Sequence, residues 1–246
     1  MRKIILFVII ISGLQQTVSA QDTTKHLKNT ILFNVTNPII FGSSFILGYE
    51  RVLNNRHSFS INIGTTSFPG SDNTDTDSLK VNEINNKSGA NISADFRFYL
   101  SKENKYAAPR GVYIGPYYSY NNFKREHSWI LKSTNGGAPL NVNSELNLNI
   151  HTLGFEMGYQ FVFWDRLALN MILIGPGISS YNLKASFGSN LSQADRQKLL
   201  NAINDALTEK FPGWGGVVDD GEFQTKGSVN TTTLGYRYMI QLGFRF

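Results

Sequence analysis

The sequence predicts an all-β chain: an eight-stranded antiparallel transmembrane β-barrel with short turns at one end, long loops at the other and one helix inside the last loop. Three observations carry this expectation. Apolar and polar residues alternate with period two in eight separate segments, the signature of strands with two unlike faces. The N-terminus reads as a secretion signal. The composition is poor in charge, 17%, and rich in aromatics, 13%, with no cysteine, whereas an ordinary soluble domain carries roughly 25% charged residues.

Residues 1–20 come first because they do not belong to the fold. Arg2 and Lys3 form a short positive region, Ile4 to Ile11 is an unbroken apolar run, and Val18-Ser19-Ala20 sets small residues before Gln21. That order is what a signal peptidase cuts. The apolar run is too short for a membrane anchor, which needs about 20 residues. Residues 21–246 are therefore expected to be the barrel. Their net charge falls from +5 to +3 once Arg2 and Lys3 leave, too little to point to nucleic acid.

The eight expected strands are residues 30–36, 44–52, 58–64, 90–100, 112–120, 152–163, 166–174 and 234–246. The last is the clearest. Leu234, Tyr236, Tyr238, Ile240, Leu242, Phe244 and Phe246 share one face; Gly235, Arg237, Met239, Gln241, Gly243 and Arg245 share the other. Its thirteen residues exceed the usual globular strand of about 5–6 and suit a tilted crossing of a bilayer, which needs about 9–11. In the fourth strand Phe96 and Phe98 oppose Asp95 and Arg97; in the sixth Phe155 and Tyr159 oppose Glu156.

Alternation does not say which face meets which solvent. Three features assign the apolar face to lipid. It is aromatic near the strand ends, as the girdles of membrane barrels are. The opposite face holds Glu50, Asp95, Arg97, Glu156, Arg237 and Arg245, three acids and three bases able to pair in a narrow lumen. The connections at residues 53–56 and 164–166 are tight and the one at 101–110 is longer, while those at 66–88, 123–146 and 182–228 on the other side are long, the short first loop at 37–43 being the exception. That is the arrangement of outer-membrane barrels, whose turns are periplasmic. The lipid-facing set is then Phe96, Phe98, Phe155, Tyr159, Tyr236, Tyr238 and Ile240.

Internal echoes support a barrel of related hairpins. Leu47-Gly48-Tyr49-Glu50, Leu153-Gly154-Phe155-Glu156 and Leu234-Gly235-Tyr236-Arg237 repeat a Leu-Gly-aromatic-charge pattern. Tyr113-Ile114-Gly115-Pro116 and Leu173-Ile174-Gly175-Pro176 repeat another. Proline cannot donate to a ladder, so each Gly-Pro is expected to mark a bulge or the end of regular pairing.

Asn29-Thr30-Ile31-Leu32 through Asn37-Pro38, Leu47-Gly48-Tyr49-Glu50-Arg51-Val52-Leu53, the Trp164-Asp165-Arg166 turn and the terminal Phe246 resemble the small outer-membrane β-barrel proteins of Gram-negative bacteria, particularly those of Bacteroidetes. The resemblance implies an outer-membrane location and a barrel. It also implies that Phe244 and Phe246 form the terminal signal read by the barrel-assembly machinery. It brings no catalytic residues.

Residues 191–211 break the β pattern. Leu199, Leu200, Ile203, Ala206 and Leu207 recur at helical spacing, Ser192 and Asp195 resemble a capping box, and Pro212-Gly213 ends the run,. An amphipathic helix here either caps the barrel mouth, lies in the interface or meets an extracellular partner. The second loop is acidic, with Asp72, Asp75, Asp77 and Glu83, but lacks the central glycine and alternating ligands of a calcium loop,. The histidines are scattered, and neither a phosphate loop nor a triad can be placed.

The resulting expectation is a non-enzymatic, cofactor-free barrel. An eight-stranded interior is just wide enough for side chains to fill, so the lumen is expected to be largely plugged. The loops then act in adhesion, envelope integrity or partner binding. A narrow conduit or lipid-active barrel for small apolar molecules is the alternative, and a soluble lipocalin-like binder a weaker one. Cleavage before Gln21 is testable: intact mass of the exported protein should correspond to residues 21–246, and an uncleaved N-terminus would contradict the reading.

Overall fold

The structure, a computed structural model, describes residues 27–41, 44–67, 79–131, 140–187 and 226–246, with Gln197, Asn201, Asp205 and Thr208 besides. The expected signal segment lies outside the described residues. The elements are β1 (Asn29–Asn34), α1 (Thr36–Phe41), β2 (Phe45–Asn54), β3 (His57–Thr65), β4 (Leu79–Tyr99), β5 (Gly111–Leu131), β6 (Leu140–Phe163), β7 (Leu167–Ile174), β8 (Pro176–Phe187), β9 (Lys226–Tyr236) and β10 (Met239–Arg245).

Every pairing is antiparallel. Strands β1 to β6 pair in sequence, β6 pairs with β7 toward one end and β8 toward the other, and β10 and β9 follow in the same way. β7 and β8 are thus two halves of one stave interrupted at Gly175, and β9 and β10 two halves of another interrupted at residues 237–238. β10 then pairs with β1. The result is a closed eight-stranded barrel with one short helix. Closure leaves no sheet edge, and the first and last strands meet there: Asn29 N donates to Phe246 O at 3.1 Å and Phe246 N to Asn29 O at 2.9 Å.

The turn end is built from local chemistry. Asn54 Oδ1 accepts from the backbone N–H groups of Arg56 and His57, at 2.9 and 3.0 Å, fixing the first hairpin,. Trp164 and Asp165 both take the left-handed conformation, φ 48° and 59°. Two such residues make the mirror-image turn that matches strand twist.

At the loop end the strands reach further than the periodicity indicates. β4 and β5 run 21 residues each and β6 runs 24. Residues 79–88, 123–131, 140–146 and 182–187, expected as loops, are paired strand. The first loop likewise holds α1, with Pro38 near its start, a position where a missing N–H costs nothing,. Of the expected helix at 191–211, the described residues Gln197, Asn201, Asp205 and Thr208 are helical, and Gln197 Nε2 donates to Asn201 Oδ1 at 3.1 Å. Its apolar stripe lies outside the described residues.

The strand extensions escape a search for apolar alternation because the alternation inverts. On β6, Leu153, Phe155, Phe161 and Phe163 point outward and are exposed, whereas Glu145, Asn147, Asn149 and His151 take the same outward parity further along. Inward, Thr152, Glu156 and Gln160 are buried beside that apolar belt, and Leu146, Leu148 and Ile150 are buried beyond it. Both faces change chemistry between residues 150 and 153 without a slip in register. Nearer the turn end, Phe155 is 70% exposed.

The Gly-Pro steps interrupt the ladders as their chemistry requires. Pro116 pairs with Phe155 on β6, but between Asp95↔Tyr117 and Phe98↔Ile114 the β4–β5 register has no pair for Gly115 or Pro116. A Cβ at position 115 would overlap the Phe96 carbonyl oxygen. Gly115→Ala should therefore cost about 1–3 kcal/mol, the usual cost of forced overpacking, read as loss of unfolding temperature in detergent. An unchanged transition would contradict the close approach.

Candidate functional site

Among the described residues, inward side chains occupy the lumen in layers. At the turn end residues 101–110 fold across the mouth. Ala108 N donates to Asn55 O at 2.9 Å, and Ala108 packs against buried Tyr99, Tyr113, Ile172 and Met239. Arg110 Nη2 donates to Val162 O at 2.9 Å. Arg245 spans the same end, donating to Asp165 O at 3.0 Å and Leu27 O at 2.7 Å. A cavity of about 620 Å³ opens there, lined by Tyr106, Arg110, Trp164, Arg166 and Arg245 among others.

The next layer carries the buried charge. Glu50, on β2, is fully buried and accepts on Oε1 from Ser58 Oγ at 2.6 Å, Arg97 Nη1 at 3.1 Å and Tyr99 Oη at 3.1 Å. Its Oε2 accepts from Gln160 Nε2 at 2.8 Å. Arg97, on β4, donates through Nε to Asp95 Oδ2 at 2.6 Å, and its guanidinium lies 4.8 Å from the centre of the Tyr113 ring. Staves on opposite sides of the barrel are thereby tied through one carboxylate.

A second pair sits level with the Gly-Pro steps. Arg237 Nη1 donates to Glu156 Oε2 at 3.0 Å, and Nη2 stands 3.5 Å from Asp95 Oδ1. Its guanidinium lies 5.0 Å from the centre of the Tyr117 ring. The strand break at Gly175 is satisfied here: its carbonyl accepts from Tyr117 Oη at 2.8 Å and from Arg237 N at 2.7 Å.

A neutral relay fills the space between. Tyr113 Oη donates to Asn170 Oδ1, Asn170 Nδ2 to Gln241 Oε1, and Gln241 Nε2 to Asn62 Oδ1, all within 2.7–2.8 Å. Beyond the charges, at the loop end, Phe123, Leu148 and Leu183 make an apolar stopper with at most 2% exposure each.

Five of the six expected lumen charges, Glu50, Asp95, Arg97, Glu156 and Arg237, meet in this network. Arg245 does not join it: as the last inward residue of β10 it falls level with the turns and binds backbone carbonyls instead. The network has three carboxylates and two guanidiniums. Its uncharged members, Ser58, Tyr99, Tyr113, Gln160, Asn170 and Gln241, escape a search for charge. Their inward parity is the available signal. The side chains of Phe98, Phe155, Tyr236, Tyr238 and Ile240 are exposed on the outer face at 41–70%. Phe96 and Tyr159 share that face and are half-buried against their neighbours, Phe96 4.9 Å from Phe98 and Tyr159 4.3 Å from Phe161 between ring centres. No group of metal-binding side chains forms among the described residues.

No family model matches the chain, and no curated protein matches it. Among solved structures it is similar to a major outer membrane protein from Thermus thermophilus. The TM-score is 0.41 and the identity 11%, over 89% of this chain and 98% of that one. A likeness so distant says nothing about role.

The Glu156–Arg237 pair gives a direct test of how dry the lumen is. Removing one partner of a buried pair leaves an uncompensated charge, costing about 3–5 kcal/mol, while an exposed pair contributes about 0–1 kcal/mol. Glu156 is buried and the Arg237 side chain is 11% exposed, so Glu156→Gln and Arg237→Met should each cost at the lower part of the buried range. The double variant should recover part of that loss. A double-mutant cycle by denaturant unfolding checks this; zero coupling with unaltered stability would mean a water-filled lumen.

Proposed function

We propose that the chain is a non-enzymatic outer-membrane β-barrel that transports nothing through its lumen and works through the face it presents outside the cell. The observation that carries this reading is the exchange of polarity along β6. The exposed apolar belt, with Leu234 at 80%, Phe155 at 70% and Leu153 at 65% exposure, is what lipid covers and water does not tolerate in such a contiguous band. Beyond it the outward face turns polar and the inward face apolar, as expected for a barrel wall that has left the bilayer. A lipocalin-like binder would need the opposite arrangement at the belt.

The filled lumen supports a plug over a conduit. Most charged and amide groups there engage one another, and Phe123, Leu148 and Leu183 are buried on the inward face beyond them. The terminal aromatics Phe244 and Phe246 stand exposed on the outer face at the turn end, as an assembly signal for insertion requires. The strand extensions and the last loop would then meet an extracellular partner, in adhesion or envelope integrity. Purified protein in a planar bilayer should give no steady conductance steps. Reproducible unitary steps from the wild-type chain would overturn the plugged reading and favour the narrow conduit.

A further inference from the structure

Just beyond the apolar belt, the outward faces of β5, β6, β8 and β9 carry polar side chains that, among the described residues, no lumen group uses. Strand register aligns Asn122, Asn149, Asn182 and Asn230 in one row. Asn122 Nδ2 donates to Asn149 Oδ1 at 2.8 Å, and Asn182 Nδ2 donates to Asn230 Oδ1. The row nearer the belt holds Tyr120, His151 and Ser180. The row further out holds Lys124, Asn147 and Lys184. A cavity of about 440 Å³ lies against this flank, lined by Ile92, Tyr118, Tyr120, Asn149, His151 and Asn182.

The donors and acceptors of this flank are held in place but not used up. Tyr118 Oη binds His151 Nδ1 at 2.8 Å, which fixes the ring and leaves Nε2 open. Asn149 Oδ1 also receives Tyr120 Oη at 2.8 Å, while its Nδ2 has only a contact of 3.5 Å to Asn147. Asn182 keeps its Oδ1. Lys124 and Lys184 are exposed and without an ion-pair partner among the described residues. They stand on either side of β6, about 10 Å apart at the usual strand spacing.

We propose that this flank binds the phosphorylated sugar headgroup of a glycolipid in the outer leaflet. The proposal rests on the outer-membrane reading above. A sugar hydroxyl both donates and accepts, and amides offer both roles side by side. Aromatic faces suit the C–H face of a sugar ring. The two lysines supply charge for phosphate, and the apolar belt directly below accepts acyl chains. Phosphate alone would need only the lysines, and acyl chains alone only the belt. The ordered succession of belt, aromatic–amide rows and lysines follows a glycolipid from tail to headgroup.

The test uses residues 21–246 in phosphatidylcholine vesicles and nanodiscs. Flotation with glycolipid-free vesicles checks membrane insertion by itself; failure to float would defeat the outer-membrane reading and this proposal together. In nanodiscs containing lipid A or phosphatidylglycerol, native mass spectrometry should show lipid A retained in preference. The Asn149→Ala/His151→Ala double variant should weaken retention about tenfold, the effect of losing two or so hydrogen bonds. Lys124→Ala/Lys184→Ala, which leaves the amide row intact, should weaken it by a similar factor and reads the same site if the first variant fails to fold. Soluble glucosamine 6-phosphate should compete poorly. Insertion with equal retention of phosphatidylglycerol, or undiminished lipid A in both variants, would overturn the headgroup site alone. Tight binding of the soluble sugar phosphate would assign the site to a free glycan instead.

Discussion

A strand residue has no choice of side: parity fixes whether it faces in or out. Closure of the barrel makes that constraint global, because the register set where β10 meets β1 fixes the parity of all eight staves,. Outside the two register shifts of β4, at Val81/Glu83 and Ile84/Asn86, strands as long as β4, β5 and β6 cannot, on the membrane reading, rotate their faces as they pass from one solvent to another. Their sequences must instead exchange polar and apolar residues between the faces at the level where the solvent changes. On β6 that exchange falls between Ile150 and Leu153. The same level on β5 and β8 separates Tyr118 and Ile178 from Asn122 and Asn182.

Below that level the interior is largely polar, with Tyr99, Tyr113, Ile172 and Met239 as an apolar cluster near the turn end. A polar interior in a barrel this narrow is stable only when its groups satisfy one another. Glu50 takes four hydrogen bonds from four side chains, and the Asn170–Gln241–Asn62 relay ties two further staves to β3. The Gly-Pro steps belong to the same solution. They free backbone groups at the level of Glu156, and Tyr117 and Arg237 engage the Gly175 carbonyl that results. Above the exchange level Phe123, Leu148 and Leu183 pack inward as an ordinary core, with buried Arg125 and Ser144 further out on the same inward face.

The belt and the strand count are legible in the sequence because the outward apolar face has few exceptions, and period two survives in every segment that carries it. The extensions are not legible by the same rule. Asn141, Asn143, Asn147 and Asn149 alternate with Val142, Leu146, Leu148 and Ile150 as cleanly as any membrane segment, but with the opposite sense, so an outward apolar stripe is absent. The charged lumen residues stand out in a chain this poor in charge; Gln160, Asn170 and Gln241 do not, because neutral amides are also common in loops. Arg245 shares the parity of the network without belonging to it, because parity gives the side of the wall and not the height along it. Helix α1 is too short, at six residues, to leave a periodic trace.

The central claim is that the exchange of polarity on β6 marks the membrane boundary. The chain has no cysteine, so single cysteines report without background. Asn147→Cys and Asn149→Cys should react rapidly with a membrane-impermeant maleimide in intact phospholipid vesicles, and Leu153→Cys, Phe155→Cys and Met157→Cys should be protected until detergent is added. Uniform reactivity along the outward face of β6, or protection that begins at a different level, would contradict the account.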